Sequence, residues 1–507
     1  MNYIKFNLLF TLFLLFLSLG CSQTRFIPSE RILDWQTAGY HRNPVDNLPK
    51  PENYLYVQPP ANDPAINYRN ITQKINEASK LNGRTAIILD EGTYKLSGPI
   101  KLGIKNNYII IKGQGIGKTI IYSDVGNKKK RNDIFLLTGR KIKLTGKYEI
   151  IDYDKESRTI FLNKKLKELK ADDYIDIRVP NGSWDNSINH DRWGPKDYFG
   201  QVVEIVSFDT SETRLQLRDD ISFVWKTAKK ESIVPYIEII DPVREIGIED
   251  VTLISDTNNN GIGVNIAFTL AVDSWLKNIE SVNPPMDHVN ISTSSSIEIR
   301  GSYFHEAQDY GYVPGAGYGV SIFNRSTNCL VENNIFKHLR HSMMVSLSVS
   351  KNVFGYNYSL DQYSFPAQYL GDLNVHGHYA FGNLFEGNYV DRITADDYWG
   401  KNGPYNTFFR NYCKYNSLVL QQADFSNVIG NKCKLIIENS NGLLIDSSSV
   451  DNFIPDISYY RKRKPEFYDD SLSWPSIGPP TEKDSKVLEQ NIPARKRYCS
   501  WKGSDCN

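Results

Sequence analysis

Titratable side chains gather in one part of this chain in a pattern suited to proton transfer. The stretch NIFKHLRHSMM, residues 334–344, places His338, Arg340 and His341 within four positions of one another, directly after a short apolar run. Six of the eight histidines lie between residues 288 and 378. An imidazole can take up or release a proton near neutral pH, and a guanidinium can neutralise an anion beside it. The cluster is therefore a candidate for acid–base chemistry next to a fixed cation.

A repeat of roughly 23 residues positions this cluster. From residue 240 onwards a short β-rich phrase recurs, in which apolar residues precede an Asn that an aromatic or aliphatic residue follows. Its copies are WLKNIE, IEIRGSYF, LVENNIF, VFGYNYS, LFEGNYV, FFRNYC and VIGNKC. The Asn column, with Ser in the second copy, comprises residues 278, 302, 334, 357, 388, 411 and 431. The gaps indicate a unit of about 20 to 24 residues with two insertions of about eight, which predicts a solenoid of short strands.

These phrases resemble the right-handed parallel β-helix proteins of the pectin-lyase-like superfamily. The segments TAIILDEGTYKLSGPIKL and NNYIIIKGQGIGKTIIYS are similar to the first coils of that family, so the resemblance covers roughly residues 60–125 and 240–450. It implies an all-β, single-stranded right-handed parallel β-helix and a carbohydrate as the substrate class. An amphipathic helix is expected to cap the open end of the solenoid, with its apolar face formed by Ile66, Ile71, Ile75, Ala78 and Leu81.

The chain divides into five segments. The apolar start MNYIKFNLLFTLFLLFLSLGCSQ predicts a signal peptide over 1–20, and Gly20-Cys21 resembles the cleavage box of bacterial lipoproteins. That resemblance implies lipidation of Cys21 and anchoring to a bacterial membrane, facing the periplasm or the cell surface; a transmembrane anchor is the alternative. We expect first coils within 21–125, an antiparallel β insertion at 126–240, the main solenoid at 241–455 and a wrapping tail at 456–507.

The charge balance bears on the class of binding partner, and the cysteines bear on possible disulfides. Lys and Arg number 59 against 58 Asp and Glu, so bulk charge does not favour nucleic acid as a partner. In an exported protein disulfides are allowed, and we expect Cys499 to pair with Cys506. Cys413 and Cys433 share a column on adjacent coils, where either a disulfide or an inward stack of thiols fits.

Equal offsets in successive coils should lie about 4.8 Å apart along the solenoid. Four residues after the Asn column this predicts an outward ladder of Glu306, His338, Asp361, Arg392 and Tyr415. Counted the same way, Asp309 shares the column of His341. Loop insertions on a rigid scaffold usually serve binding. The predicted catalytic residues are His338, Arg340, His341, Arg392, Glu306 and Asp361. The predicted substrate-binding residues are His305, Asp309, Tyr318, Tyr363, His376, His378, Trp399 and Lys401.

Two reactions fit this set. A lyase acting on a uronate polysaccharide needs a cation on the sugar carboxylate and a base for the neighbouring proton; Arg340 or Arg392 would be the cation, and His338, His341 or Tyr318 the base and acid. Calcium held by Asp396 and Asp397 is the alternative to arginine, and a zinc site at His376 and His378 is less favoured. A glycoside hydrolase would instead use a carboxylate pair such as Glu306 and Asp361. The cationic composition favours the lyase, and a lipoprotein that only binds glycan is the non-enzymatic alternative.

Overall fold

The computed structural model describes most of the chain. The described residues are 27–44, 48–123, 131–166, 169, 173–186, 196–208, 213–256, 262–313, 315–365, 371–446, 457–470, 474–475, 477–478 and 492–502. The predicted signal segment with Cys21, together with His190, Trp193 and Cys506, lies outside these residues.

Three parallel sheets wind around one axis and confirm the expected right-handed parallel β-helix. Each coil contributes one short strand to each sheet, and strands of successive coils pair in parallel. Sheet A contains Asn53–Tyr56, Thr85–Ile88, Ile109–Lys112, Val243–Arg244, Gly247–Glu249, Ala271–Lys277, Ser295–Arg300, Leu330–Glu332, Val353–Gly355, Leu384–Glu386, Thr407–Phe409, Asn427–Ile429 and Leu444–Ile445. Sheet B contains Gly92–Leu96, Thr119–Ser123, Thr252–Ser255, Glu280–Val282, Tyr303–His305, Ile335–Lys337, Tyr358–Leu360, Tyr389–Val390 and Tyr412–Cys413. Sheet C contains Ile100–Gly103, Phe135–Thr138, Val264–Thr269, Asp287–Ser292, Tyr318–Phe323, His341–Val345, Leu373–His376, Ile393–Asp396, Leu418–Gln421 and Leu435–Glu438.

The solenoid interior is filled by apolar side chains that stack from coil to coil. Phe354, Phe385 and Phe408 occupy one inward position of sheet A, and their ring centroids are 5.5 and 5.2 Å apart. All three side chains are fully buried. The repeat in the sequence therefore reflects a physical requirement, because each coil must present an apolar group of similar size at the same place.

The Asn column forms a hydrogen-bonded ladder at the turn between sheets A and B. The Nδ2 atoms of Asn334, Asn357, Asn388 and Asn411 each donate to the Oδ1 atom of the next Asn, ending at Asn431, over 2.9 to 3.1 Å. Each Oδ1 also accepts the backbone N–H of the Asn before it. The ladder thus satisfies polar backbone at a buried corner that water does not reach.

The expected column is wrong by one residue at its start. Glu280 pairs with Tyr303, so Ile279 lies opposite Ser302, and Asn278 precedes the column. Asn278 instead takes the left-handed conformation, with φ of 52°, and donates to Asp250 over 2.6 Å. A second ladder, at the turn from sheet C to sheet A, was not predicted; it joins Asn352, Asn383 and Asn406.

An antiparallel β insertion packs against the turns between sheets C and A. Its strands are Arg140–Ile142, Tyr148–Asp154, Thr159–Leu162, Tyr174–Val179, Phe199–Phe208, Arg214–Leu217 and Tyr236–Asp241, and a short helix, Ser222–Lys230, accompanies them. The strand Phe135–Thr138 was expected within this insertion, but it belongs to sheet C because it pairs in parallel with Ile100–Gly103. Arg325 of the solenoid reaches the fully buried Asp176 of the insertion through two hydrogen bonds of 2.5 and 3.0 Å.

Segments near both ends of the described chain pack against the solenoid. The predicted cap is the helix Pro64–Ala78, which Asp63 caps at its N-terminus; Ile71, Ile75 and Ala78 are buried, whereas Leu81 follows the helix and is exposed. The short 3₁₀ turns Ser29–Arg31, Trp35–Thr37 and Tyr40–Arg42 and the helix Pro493–Lys502 also pack on the exterior. In the tail, Tyr460 and Arg461 bind Glu332 of sheet A.

Two further chain-wide features bear on the earlier expectations. Cys413 and Cys433 form a disulfide between adjacent coils, which decides between the two arrangements considered for them. Cys499 is also disulfide-bonded, and its expected partner Cys506 lies outside the described residues. None of the helices in the described part of the chain has the length and apolar character needed to cross a membrane.

Candidate active site

The outer face of sheet C lies between two structures that the regular coils lack. On one edge is the antiparallel insertion, where Asn186 bonds to the Lys401 N–H and to the Gln422 side chain over 2.8 Å. On the other edge both eight-residue insertions fall in the turn between sheets B and C, within residues 307–317 and 361–372. The outer face of sheet C is thus bordered by the insertion on one edge and by the described parts of these two loops on the other, and we refer to this face as the groove and to sheet C as its floor.

The middle of this floor brings together three predicted site residues. The strands of Tyr318 and His341 pair so that these two residues are opposite each other, and their ring centroids are 5.0 Å apart. The Cζ atom of Arg340 lies 5.5 Å from the centroid of the Tyr318 ring. Val320 and Met343, further along the same strands, belong to the interior apolar cluster, but Tyr318 does not. The exposures are 4% for Tyr318, 6% for Arg340 and 2% for His341.

Two polar atoms at this point have no hydrogen-bond partner among the residues that the structure describes. The Nδ1–H of His341 donates to the Gly371 carbonyl, which leaves the lone pair on Nε2, and this buried atom has no hydrogen-bond partner within the described ranges. The same part of the structure provides no hydrogen bond to the Tyr318 hydroxyl. Buried polar groups are normally hydrogen-bonded, so His341 Nε2 is available to a water molecule, a ligand or a reacting group.

Electrostatics assign different roles to the two groups. Burial, Arg340 and His376 together hold the pKa of His341 well below its usual range, so the imidazole is neutral at pH 7. Burial raises the pKa of Tyr318 to about 12; Asp287 and Asp396 add to this rise, whereas Arg340 opposes it. A free base and a protonated acid therefore lie side by side next to a guanidinium.

One coil further on, His376 is held by a network of its own. Its Nδ1 contacts both Asp396 oxygens over 2.8 and 3.0 Å, and its Nε2 accepts the Trp399 indole N–H over 3.0 Å. Burial alone would raise the pKa of Asp396, but His376 and the Tyr398 N–H hold that pKa below its usual range. The rings of His376 and His341 are 5.8 Å apart, so this network supports the neighbouring imidazole.

The predicted charge ladder forms a second cluster at the corner between sheets B and C. Pairing of the preceding strands puts Glu306, His338 and Asp361 in one column, and all three take the left-handed conformation. His338 Nδ1 lies 2.9 Å from an Asp361 oxygen, and the His338 ring stacks on Tyr363 with centroids 5.0 Å apart. The side chain of Asp361 is 58% exposed, so this corner is open to solvent.

Several predicted site residues lie away from both clusters. His305 is on sheet B, where it stacks on Tyr303 and bonds to Glu280. Arg392 does not join the acids of the ladder by any ion pair that the described residues show; its guanidinium covers the Tyr415 ring at 5.0 Å. Lys401 lies over Tyr379 at the base of the insertion.

Two further placements correct the expectations. His378 is fully buried, with its ring between those of Tyr198 and Trp399. Asp309 does not share the column of His341, because an inserted loop separates it from Tyr318, the true neighbour. Its side chain accepts the N–H groups of Gly311 and Val313 and so shapes that loop.

The carboxylates suggested for calcium do not form a common donor set. Asp396 faces His376, whereas Asp397 accepts the Gln422 amide over 2.6 Å. His376 Nε2 accepts the Trp399 indole N–H and the His378 ring stacks on the same indole, and the donor group of three found among the described residues contains neither histidine. Among the residues that the structure describes, the group close enough to hold a metal is His41, Glu245 and Asp273, near the N-terminal end of the solenoid.

Sequence reasoning missed three contributors to the floor. Asp287 pairs opposite Tyr318, Asn374 lies 3.5 Å from His341 Nδ1, and the Gly371 carbonyl fixes the His341 tautomer. Asp287 could have been found by aligning the first residues of three successive sheet C strands, which are Asp287, Tyr318 and His341. A backbone carbonyl leaves no trace in side-chain patterns.

Comparison with known proteins does not assign this chain to a family. No protein-family model matches the sequence, and no curated protein matches it. Among solved structures, ORF18 of Geobacillus virus E2 aligns with a TM-score of 0.41 and 13% identity over 78% of this chain and 61% of that one, so this chain spans less than two thirds of that protein. The A-module of the mannuronan C-5 epimerase AlgE6 from Azotobacter vinelandii gives 0.38 and 11% over 75% and 96%. The tailspike gp49 of Pseudomonas phage LKA1 gives 0.39 and 11% over 75% and 74%.

Proposed function

We propose that this protein cleaves a uronate-containing polysaccharide by β-elimination on the floor of sheet C. The observation that carries the proposal is the buried His341 Nε2, which has no hydrogen-bond partner among the described residues and whose ring lies beside the Tyr318 ring, which the Arg340 guanidinium covers. A β-elimination requires a base, an acid and a cation at one place, and these three groups supply them.

The reaction assigns one task to each group. Arg340 binds the uronate carboxylate, which stabilises the negative charge that develops there when the adjacent C5–H bond breaks. His341 Nε2 takes that proton, and the electron pair forms the C4–C5 double bond. The C4–O bond then breaks, and the leaving oxygen takes the hydroxyl proton of Tyr318. Transfer of a proton from His341 to Tyr318, whose rings lie 5.0 Å apart, restores the starting state.

Substrate charge also adjusts the base. In the free protein Arg340 is one of the groups that lower the pKa of His341. A carboxylate bound at Arg340 compensates that positive charge, so the pKa of His341 rises when substrate is present. The imidazole of His341 is thus unprotonated before substrate binds. Once the substrate carboxylate is bound, the same imidazole is a stronger base.

Hydrolysis by the two carboxylates that raise the pKa of Tyr318 is disfavoured by their separation. The carboxylates that act on Tyr318 are Asp287 and Asp396, which lie four strands apart on sheet C, or roughly 19 Å. Paired glycosidase carboxyls are about 5 to 10 Å apart. Asp287 is also capped by Ser321 and Asn290, and Asp396 by His376. Neither is placed to flank a glycosidic bond at Tyr318.

The cellular setting remains a prediction from the sequence. An export signal followed by a lipidated Cys21 would place the groove outside the cytoplasm, where polysaccharides are found. Under this proposal the partner is the glycan, and the membrane contact is the lipid.

The decisive experiment offers acidic and neutral polysaccharides to the protein without its signal segment. Elimination predicts new ultraviolet absorbance from unsaturated ends. His341→Gln and Arg340→Met should each lower that rate at least a hundredfold. His41→Gln, in the 3₁₀ turn Tyr40–Arg42 outside the groove, is the matched control and should keep the wild-type rate. New reducing ends without absorbance would indicate a hydrolase instead. Exchange of the C5 proton with solvent without chain cleavage would indicate epimerisation, and binding alone would indicate a receptor.

A further inference from the structure

The two insertion loops meet above the short turn that carries Arg340. The Phe365 N–H donates to the Tyr310 carbonyl over 3.1 Å, which joins residues 307–313 to residues 361–365. The rings of Tyr312 and Phe365 then pack on each other with centroids 4.6 Å apart. Two loops that are separated by a full coil in the sequence thus present one aromatic surface, formed by Tyr312 and Phe365.

This aromatic surface is open to solvent. Tyr312 is 72% exposed and Phe365 is 43% exposed, and Tyr363 beside them is 42% exposed. Neither Tyr312 nor Phe365 belongs to any of the buried apolar clusters of the described residues. Adjacent exposed aromatic side chains contribute little to folding and commonly mark a binding surface.

The backbone holds the surface in place. Gly311 has φ of 136°, and a Cβ there would lie 2.5 Å from the Phe365 carbonyl oxygen, so only glycine allows the two loops to approach. Asp309 Oδ1 accepts the N–H groups of Gly311 and Val313 over 2.7 and 3.1 Å and fixes the loop around Tyr312. A surface that is already ordered loses little conformational freedom when a ligand binds.

The surface also adjoins the candidate active site. The same Cβ position on Gly311 lies 3.7 Å from Arg340 Cδ, and Gln362 Nε2 donates to the Arg340 carbonyl over 2.9 Å. The exposed Asp361 and His338 provide hydrogen-bonding groups beside the rings. Flat apolar faces next to polar groups suit a pyranose ring, whose C–H face is apolar and whose edge carries hydroxyls.

We propose that Tyr312 and Phe365 form a sugar-stacking subsite, which binds a unit of the same glycan next to the unit whose carboxylate lies on Arg340. The inference rests on the proposed function for the choice of a uronate chain. It adds that the protein binds at least two neighbouring units of the chain at once.

The test measures binding as a function of ligand length in the Tyr318→Phe background. The probes are uronates of the galacturonate and alginate series from monosaccharide to octasaccharide, with neutral cello-oligosaccharides beside them, and calorimetry gives the Kd. Tyr312→Ala should weaken binding of the octasaccharide and the disaccharide roughly five- to tenfold and leave the monosaccharide affinity unchanged, because only the monosaccharide cannot reach the subsite from Arg340. Phe365→Leu should act in the same direction. Tyr56→Ala, which removes another strongly exposed tyrosine on the first strand of sheet A, should change none of these affinities.

The outcomes separate this inference from the proposed reaction. If wild type cleaves the uronate but Tyr312→Ala binds the octasaccharide as tightly as the parent protein does, the subsite is overturned and the proposed reaction stands. Tyr312-dependent binding of neutral oligosaccharides without cleavage retains a sugar-stacking surface but overturns the uronate reaction. A loss of self-association in Tyr312→Ala without any change in glycan affinity overturns the subsite in favour of a protein interface. If wild type binds none of the probes, both the subsite and the proposed reaction are overturned.

Discussion

Removal of one oxygen atom should separate the chemistry of the groove from the stability of the fold. Tyr318→Phe keeps the ring that packs beside His341 and Arg340 and deletes only the hydroxyl proposed as the acid. That hydroxyl makes no hydrogen bond to the described part of the chain. We therefore expect a large loss of elimination rate together with an almost unchanged free energy of unfolding.

The magnitudes follow from the roles of the group. A positioned general acid contributes about a hundredfold to ten-thousandfold to a rate, which corresponds to roughly 3 to 5 kcal/mol of transition-state free energy. Deleting a hydroxyl that forms no protein hydrogen bond should change folding stability by less than about 0.5 kcal/mol. Initial rates of ultraviolet absorbance on a polyuronate measure the first quantity, and chemical denaturation measures the second.

Tyr94→Phe is the matched control with the opposite expected result. Its hydroxyl lies in the N-terminal coils, accepts the Asp90 N–H over 3.0 Å and donates to the Gln58 carbonyl over 3.3 Å. We expect this variant to lose about 1 kcal/mol of stability and to retain the wild-type rate. The reasoning is refuted if Tyr318→Phe cleaves the polyuronate as fast as wild type, or if both variants lose rate in proportion to their loss of stability.

Three further results are expected. Arg340→Met should raise the pKa of His341, because the guanidinium is among the groups that lower it, and NMR titration of that imidazole checks this without any substrate; an unshifted titration would contradict the electrostatic argument. Burial raises the pKa of Glu386 to about 7. Between about pH 4.5 and pH 7 the folded protein therefore keeps this carboxyl protonated, whereas the unfolded chain has lost the proton. The free energy of unfolding consequently falls as the pH rises through this range. Glu386→Gln should remove up to roughly 3 kcal/mol of that fall, measured as the difference between the denaturation profiles of variant and wild type at pH 5 and pH 8. Asn388→Leu should destabilise the solenoid by roughly 3 kcal/mol or more, because the Asn357 N–H and Nδ2 lose their acceptor and the Phe354 carbonyl loses its donor. A change below about 1 kcal/mol in thermal or urea unfolding would show that the ladder contributes little.

The sequence alone was sufficient for the architecture, because a solenoid repeats one physical environment many times. Each coil needs an apolar group at the position of Phe354 and a turn residue at the position of Asn357, so the same letters recur at a fixed spacing. The same logic brought Glu306, His338 and Asp361 into one column, since the count from the Asn crosses only a short strand and no inserted loop.

The tertiary structure decided which groups meet on the floor of sheet C. Counting from the Asn column matched His341 with Asp309, but an inserted loop lies between Asp309 and sheet C, and parallel strand pairing restores the register only at Tyr318. The tautomer of His341 depends on the Gly371 carbonyl, and the burial of His378 depends on Tyr198 from the insertion. Local sequence carries neither fact. Within a strand and its short turn, the partner of a residue in the next coil can be found by counting residues. Across an inserted loop this count fails, because the length of the loop does not show which residue after it pairs with the next strand. Only the packed structure fixes those partners.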